Sequence, residues 1–163
     1  MKNNYYEEAV GLLKTLIQTP SFSREEGETA RHIEHYLSGF AVTLKRFGHN
    51  VLAFPQAFDP KKATVLLNSH HDTVKPNAGY TRDPFSPTIA DGKLFGLGSN
   101  DAGGPLVSLI ATFLTWNERA DSSPLMWSWL RQQKKKSAAL AASNPSFLSC
   151  PFVKSPSSVS PPG

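Results

Sequence analysis

The chemistry in this chain is concentrated in two short segments. The first, Asn68-Ser69-His70-His71-Asp72, sets three titratable side chains just past the apolar run Thr64-Val65-Leu66-Leu67. A neutral imidazole is a good ligand for Zn²⁺, and a carboxylate two residues on can fix its tautomer and orientation from behind. Taken alone, such a triplet is more often a solvated loop than a metal site. The second segment runs Gly96-Leu97-Gly98-Ser99-Asn100-Asp101-Ala102-Gly103-Gly104. Its glycines could cradle a phosphate at a helix start, but a buried carboxylate in their midst would repel one. The Lys-Ser/Thr ending of a phosphate loop is also missing. An acid surrounded by small residues suits a cation ligand better.

These segments need elements to hold them. Val10, Leu13, Leu16 and Ile17 recur at helical spacing, and Pro20-Ser21 closes the run, which predicts a helix over 4–19. Ser23 stands three residues before Glu26 as in a capping box, ahead of the stripe Ala30, Ile33, Leu37, which predicts a second helix ending near Ser38-Gly39. Two short strands follow, 41–47 and 50–54, around a turn at Gly48. The run at 64–67 reads as a strand covered on both faces, and His70 to Asp72 then lie past its carboxyl end, where open α/β sheets place ligands. A long loop spans 75–93, with Asp91-Gly92 as a hairpin signal. An apolar helix over 105–116 puts Asp101 near its amino end.

Together the segments resemble a known family. Ser69-His70-His71-Asp72-Thr73-Val74, then Asp83-Pro84-Phe85, then Asp91-Gly92-Lys93 through Gly104, are similar in order and spacing to the di-metal aminoacylase and peptidase family M20, with the acetylornithine deacetylase group most alike. The opening Leu12-Leu13-Lys14-Thr15-Leu16-Ile17 with Pro20-Ser21 belongs to the same pattern, so the resemblance covers 5–121. It implies that His70 binds one metal, that Asp101 bridges two, and that Asp72 is a catalytic-site residue orienting His70. His71 occupies a variable position. Many relatives carry Met-Lys after the bridging aspartate, where this chain has Ala102-Gly103, a departure that leaves the ligand itself in place. The implied fold is the amino-terminal part of a zinc-peptidase-like α/β catalytic domain, a mixed sheet with flanking helices, incomplete. The implied activity is deacylation of a small N-acyl amino acid with two zinc or cobalt ions. The family's general-base Glu-Glu pair, its acid before Pro-Thr/Ser and its late histidine have no counterpart here, because no acid follows Asp121. Metal binding by this chain is therefore expected to be weak or absent.

Composition agrees for the first part and changes sharply after it. At 163 residues, 39% hydrophobic and 18% charged, the chain suits one globular domain rather than a disordered polymer. Residues 1–121 hold 12 basic and 13 acidic side chains, so a nucleic-acid footprint is not expected there. The tail 122–163 holds 5 basic and no acidic ones, with 11 serines, 6 of the 13 prolines and the single cysteine, Cys150. One cysteine forbids an internal disulfide framework. No secretory signal or stretch of membrane-spanning length is read, so a cytoplasmic location without membrane partners is expected, with dimerisation in intact relatives.

The tail is expected to be a non-family, disordered segment arising from a shifted reading frame. Permitted codons for Arg131 to Ala138, read one base earlier, give Ala-Ala-Glu-Glu-Glu-Ile-Ser, and those for Ser157 to Gly163 permit Val-Val-Gly-Glu-Pro-Thr-Gly. Both are motifs that the family needs, in the right order. The alternatives are an inert fragment, or a basic arm in which Lys134, Lys135 and Lys136 with Trp127 and Trp129 bind nucleic acid or a membrane. Sequencing the gene separates them: third-position G in the codons of Gln132, Gln133, Lys134 and Lys135 is expected. AAA at Lys134 with CAA at Gln133, or an adjacent frame that closes within the tail, contradicts the shifted frame.

Overall fold

A computed structural model of the chain describes residues 5–59, 61–119 and, for the backbone, 126–131. Helix α1, Tyr5–Gln18, buries Ala9, Leu12, Leu13, Leu16 and Ile17 along one stripe. Helix α2, Gly27–Ser38, buries Thr29, Ala30, Ile33 and Leu37. The third helix, α3 at Gly104–Asn117, buries Leu106, Val107, Ile110, Phe113 and Leu114, and Pro105 sits in its first turn, where a missing N–H costs nothing. These stripes meet Val51 and Ala53 of the sheet in one apolar core. Each fully buried large aliphatic side chain there contributes roughly 1.5–3 kcal/mol, so the three helices and the sheet hold one another.

The strands are β1 Val42–Phe47, β2 Asn50–Pro55, β3 Thr64–Ser69, β4 Thr88–Ala90, β5 Lys93–Phe95 and β6 Met126–Arg131. Four of them form a sheet in the order β1-β2-β6-β3. The pairs β1–β2 and β2–β6 are antiparallel and β3–β6 is parallel, so the sheet is mixed, as the resemblance implied. Gly48 turns the first hairpin with a positive φ of 61°. The small β4–β5 hairpin turns on Asp91 and Gly92, both with positive φ, which a two-residue hairpin of this kind requires. No described helix is long and apolar enough to cross a membrane.

The structure departs from the sequence reading in three places. First, β3 is not covered on both faces: its residues alternate between exposed and half-buried, and Leu66 is 52% exposed. The strand ends the sheet's order, with α3 against it and β6 as its one strand neighbour among the described residues. Second, Ser23 and Glu26 form no capping box. Glu26 itself is the residue before α2 and gives no side-chain cap bond, while the Ser23 hydroxyl is used elsewhere. Third, the tail was expected to be disordered, yet 126–131 forms β6 between β2 and β3. Its Trp-Ser-Trp-Leu content suits a pleated strand, and the two flanking strands offer it a ladder on both sides. The rest of the tail, 122–125 and 132–163 with its lysine triplet, lies outside the described residues.

Tyr36 ties α2 to α1. Its ring packs 5.2 Å from that of Phe40, and its hydroxyl donates to Glu8 Oε2 at 3.3 Å. Burial, reinforced by the Glu8 carboxylate, holds the phenol well above its ordinary range. A raised folded-state value means that unfolded chains ionise first. The contribution of Tyr36 to stability should thus be constant below about pH 10 and decline above it. Denaturation at neutral and strongly alkaline pH should show that decline in the wild type and a smaller one in Tyr36→Phe; equal declines would contradict the assignment.

Candidate metal centre

The site is built where β3 ends. Successive residues of an extended chain point to opposite sides, so His70 and Asp72 emerge on one side and His71 on the other. His71 turns inward and is buried, with Nδ1 2.6 Å from the hydroxyl of Thr29. That hydroxyl donates its single proton to the Glu26 carbonyl, which makes the His71 Nδ1–H the donor to Thr29. His71 is therefore a packing and anchoring residue, consistent with its variable place in the motif.

His70 faces the opposite way and lies between two carboxylates. Its Nδ1 is 3.1 Å from Asp72 Oδ1 and its Nε2 is 3.2 Å from Asp101 Oδ1. The structure thus brings together all three residues singled out in the sequence, although Asp101 is 31 positions from His70. It corrects one expectation: the Asp101 side chain is 68% exposed, not buried among the glycines. It projects from an irregular turn at Ser99–Gly103, where Asp101 and Ala102 leave helical geometry, and the Asp101–Ala102 peptide is cis.

A neutral imidazole carries one N–H, so it can donate to Asp72 or to Asp101 but not to both. A cation on the Nε2 side would satisfy the second contact. Zinc bonds of about 2.0–2.1 Å in a tetrahedral shell leave neighbouring ligand atoms about 3.3 Å apart. The Nε2 to Oδ1 separation matches that edge, and with Asp72 at Nδ1 it is Nε2 that could take a metal. The pair fits half of a four-ligand shell. Among the described residues no third His, Cys, Asp or Glu joins it to make a complete metal-holding group.

A cavity of about 750 Å³ opens over the pair, lined also by Ser23, Arg24, Tyr80 and the Gly98 turn. Close packing around the turn accounts for two of the glycines. Gly98 has φ 75°, and a Cβ there would fall 2.6 Å from Thr73 Cγ2. At Gly103 a Cβ would meet Leu13 Cδ1 at 2.6 Å and the Gly98 carbonyl oxygen at 2.7 Å. Sequence reasoning missed the support from the segment between α1 and α2. Ser21 Oγ donates to the His71 carbonyl at 2.7 Å, Thr73 N–H donates to the Ser21 carbonyl at 2.8 Å, and Ser23 Oγ donates to Asp72 Oδ2 at 2.8 Å. The signal was present in Pro20-Ser21-Phe22-Ser23 but was absorbed by the capping-box reading.

Residues 66–126 match Peptidase family M20/M25/M40, a span that holds β3, the His70 loop and the Asp101 turn. This segment belongs to the M20 family. The M20 match runs to Met126, past the Asp121 at which the motif resemblance stops. Succinyl-diaminopimelate desuccinylase of Cereibacter sphaeroides is 34% identical over 109 residues, covering 63% of this chain and 28% of the relative. Acetylornithine deacetylase of Klebsiella pneumoniae is 34% identical over 116 residues, covering 64% of this chain and 30% of the relative. The chain thus spans under a third of the length of these curated relatives. Among solved structures, the M20 family metallo-carboxypeptidase Sso-CP2 of Sulfolobus solfataricus superimposes with a TM-score of 0.64 at 22% identity, over 84% of this chain and 34% of that one. Human carnosine dipeptidase 1 gives 0.61 at 20% identity, over 88% and 36%. This part of the fold is thereby shared across sequences that have diverged widely.

The close approach at Gly98 is testable. Gly98→Ala combines a left-handed backbone with a clash against Thr73, and should destabilise the chain by roughly 1–3 kcal/mol in urea denaturation. An unchanged midpoint and slope would mean that the turn is not packed as described.

Proposed function

We propose that the chain carries the amino-terminal metal half-site of an M20 hydrolase that deacylates N-acyl amino acids, with N-acetylornithine the first substrate to test and amino-acid biosynthesis the setting. The observation that carries this reading is the His70 ring held between Asp72 and Asp101 at 3.1 and 3.2 Å. His70 and Asp101 are the ligands, Asp101 reaching toward two ions, and Asp72 fixes the His70 tautomer. The names of two relatives, a deacetylase and a desuccinylase, support an acylated amino acid as the substrate class.

The chemistry supplied by two divalent ions at such a site, zinc or cobalt, is polarisation of an amide carbonyl and acidification of a water. This chain's residues contribute the rest that is visible. Asp72 keeps the proton on Nδ1 and so leaves Nε2 as a donor of electrons. The exposed Asp101 carboxylate supplies negative charge at the cavity floor, and the cavity offers room for a small substrate. The general base is not among them, because no acid follows Asp121. Within this proposal, 122–163 departs from the family continuation through a shifted frame. The chain itself is then inactive in a cytoplasmic setting where intact relatives dimerise.

Calorimetry with zinc on the 163-residue chain is expected to show weak binding. His70→Ala and Asp101→Ala should each remove it. Hydrolysis of N-acetylornithine should be undetectable, since loss of a general base alone costs roughly 10²–10⁴ in rate. Tight stoichiometric binding that survives His70→Ala would overturn the ligand assignment. Zinc-dependent hydrolysis by this chain would overturn its inactivity.

A further inference from the structure

The hydroxyl of Ser23 is placed where a capping role cannot explain it. The residue preceding α2 is Glu26, three positions later, and α2 receives no side-chain cap bond. Instead Ser23 Oγ donates to Asp72 Oδ2 at 2.8 Å, across 49 positions of sequence. The other oxygen of the same carboxylate, Oδ1, meets His70 Nδ1 at 3.1 Å. We infer that Ser23 is a positioning residue that fixes the plane of the Asp72 carboxylate and, through it, the tautomer and orientation of the His70 ring. This rests on the assignment of His70 as a metal ligand in the proposed function.

Two further observations make the placement of Ser23 specific. Its backbone is docked onto the metal loop by a parallel bridge between Phe22 and Thr73 and by the Thr73 N–H bond to the Ser21 carbonyl at 2.8 Å. The residue after it, Arg24, has a left-handed φ of 81°, uncommon outside glycine, asparagine and aspartate. A non-glycine residue stays in that region only when its surroundings over-determine it. Here the Phe22–Thr73 bridge on one side and the Glu25 N–H bond to the Phe22 carbonyl at 2.8 Å on the other hold the turn. The segment thus delivers a single hydroxyl to Asp72 at the cavity wall.

A carboxylate held at one oxygen only can rotate about its Cβ–Cγ bond and present either oxygen, or neither, to the imidazole. With Oδ2 occupied by Ser23, Oδ1 stays 3.1 Å from Nδ1, which also has the Asp72 backbone carbonyl 3.4 Å away. The Nδ1–H form is then favoured, and Nε2 keeps its lone pair toward the Asp101 side. Loss of the hydroxyl should let the two tautomers mix without disturbing the helical core, because Ser23 is exposed and contributes nothing to it.

The test compares wild type, Ser23→Ala and Ser23→Thr in the full chain. Long-range ¹⁵N–¹H correlation spectra of the metal-free protein, under conditions where imidazoles are neutral, read the His70 tautomer directly. Cobalt binding by absorbance and calorimetry reads the ligand. The expected result is a dominant Nδ1–H form in wild type, a mixture in Ser23→Ala, and recovery in Ser23→Thr, which keeps the hydroxyl. Cobalt affinity should fall about fivefold in Ser23→Ala, the scale of one net hydrogen bond, and return in Ser23→Thr, with melting temperatures alike throughout. An unchanged tautomer in Ser23→Ala overturns the inference, as does a Ser23→Thr chain indistinguishable from Ser23→Ala in tautomer. If wild type binds no cobalt while Ser23→Ala still mixes the tautomers, the ligand assignment fails and the role of Ser23 on Asp72 stands.

Discussion

One imidazole between two carboxylates is the constraint on which the rest depends. A neutral ring can satisfy Asp72 or Asp101 with its single N–H, so of the two contacts at 3.1 and 3.2 Å one is left that a cation would satisfy. The side is decided by how firmly each acid is held. Asp72 is fixed by Ser23 and lies close to its histidine in sequence, whereas Asp101 is mostly exposed on an irregular turn. Under the proposed function the proton sits at Nδ1 and a cation would sit at Nε2. That choice converts an ordinary histidine–acid contact into a ligand pair.

Bringing Asp101 to His70 across 31 positions places demands on the core. The turn at 98–103 lies directly over α1, and Leu13 reaches within 2.6 Å of where a side chain at Gly103 would begin. Small residues are required because the helix and the turn approach too closely for anything larger. Two glycines of the stretch, Gly98 and Gly103, are thus a matter of shape. The same packing makes the cavity floor rigid: Leu13 and Ile17 belong to the buried stripe that joins α1 to α2, α3 and the sheet. Movement of the turn would have to disturb that stripe.

Much of this was legible in the sequence because it depends on period and local chemistry. The stripe Leu13, Leu16, Ile17 fixed α1 to within a residue at either end, and Asp91-Gly92 announced its hairpin. His70 to Asp72 stand out by their place past the end of an apolar strand, and the separate roles of His70 and Asp72 come from the family resemblance. What escaped was non-local. An apolar run cannot reveal that β3 ends the sheet's order and leaves Leu66 half exposed, since burial on each face is decided by distant partners. Ser23 was assigned to the nearest available use, a cap for α2, whereas its actual partner lies 49 positions away. β6 was hidden for a related reason. Six residues in a segment whose composition reads as disordered can still form a strand when β2 and β3 leave a slot between them.

The exposure of Asp101 bears on how folding and metal binding are coupled. In a small zinc-dependent module the ligands supply the core, and binding free energy becomes folding free energy. Here the apolar core of α1, α2, α3 and β2 contains neither His70 nor Asp101. A carboxylate that remains in water without its ion carries no burial penalty, so the fold does not require occupancy. An ion can then stabilise the native chain only by mass action, in proportion to how far its concentration exceeds the dissociation constant. With only the two proposed ligands that constant would be high, and the gain small. The arrangement of His70, Asp72 and Asp101 is therefore a geometry maintained by hydrophobic packing and by hydrogen bonds from the segment between α1 and α2.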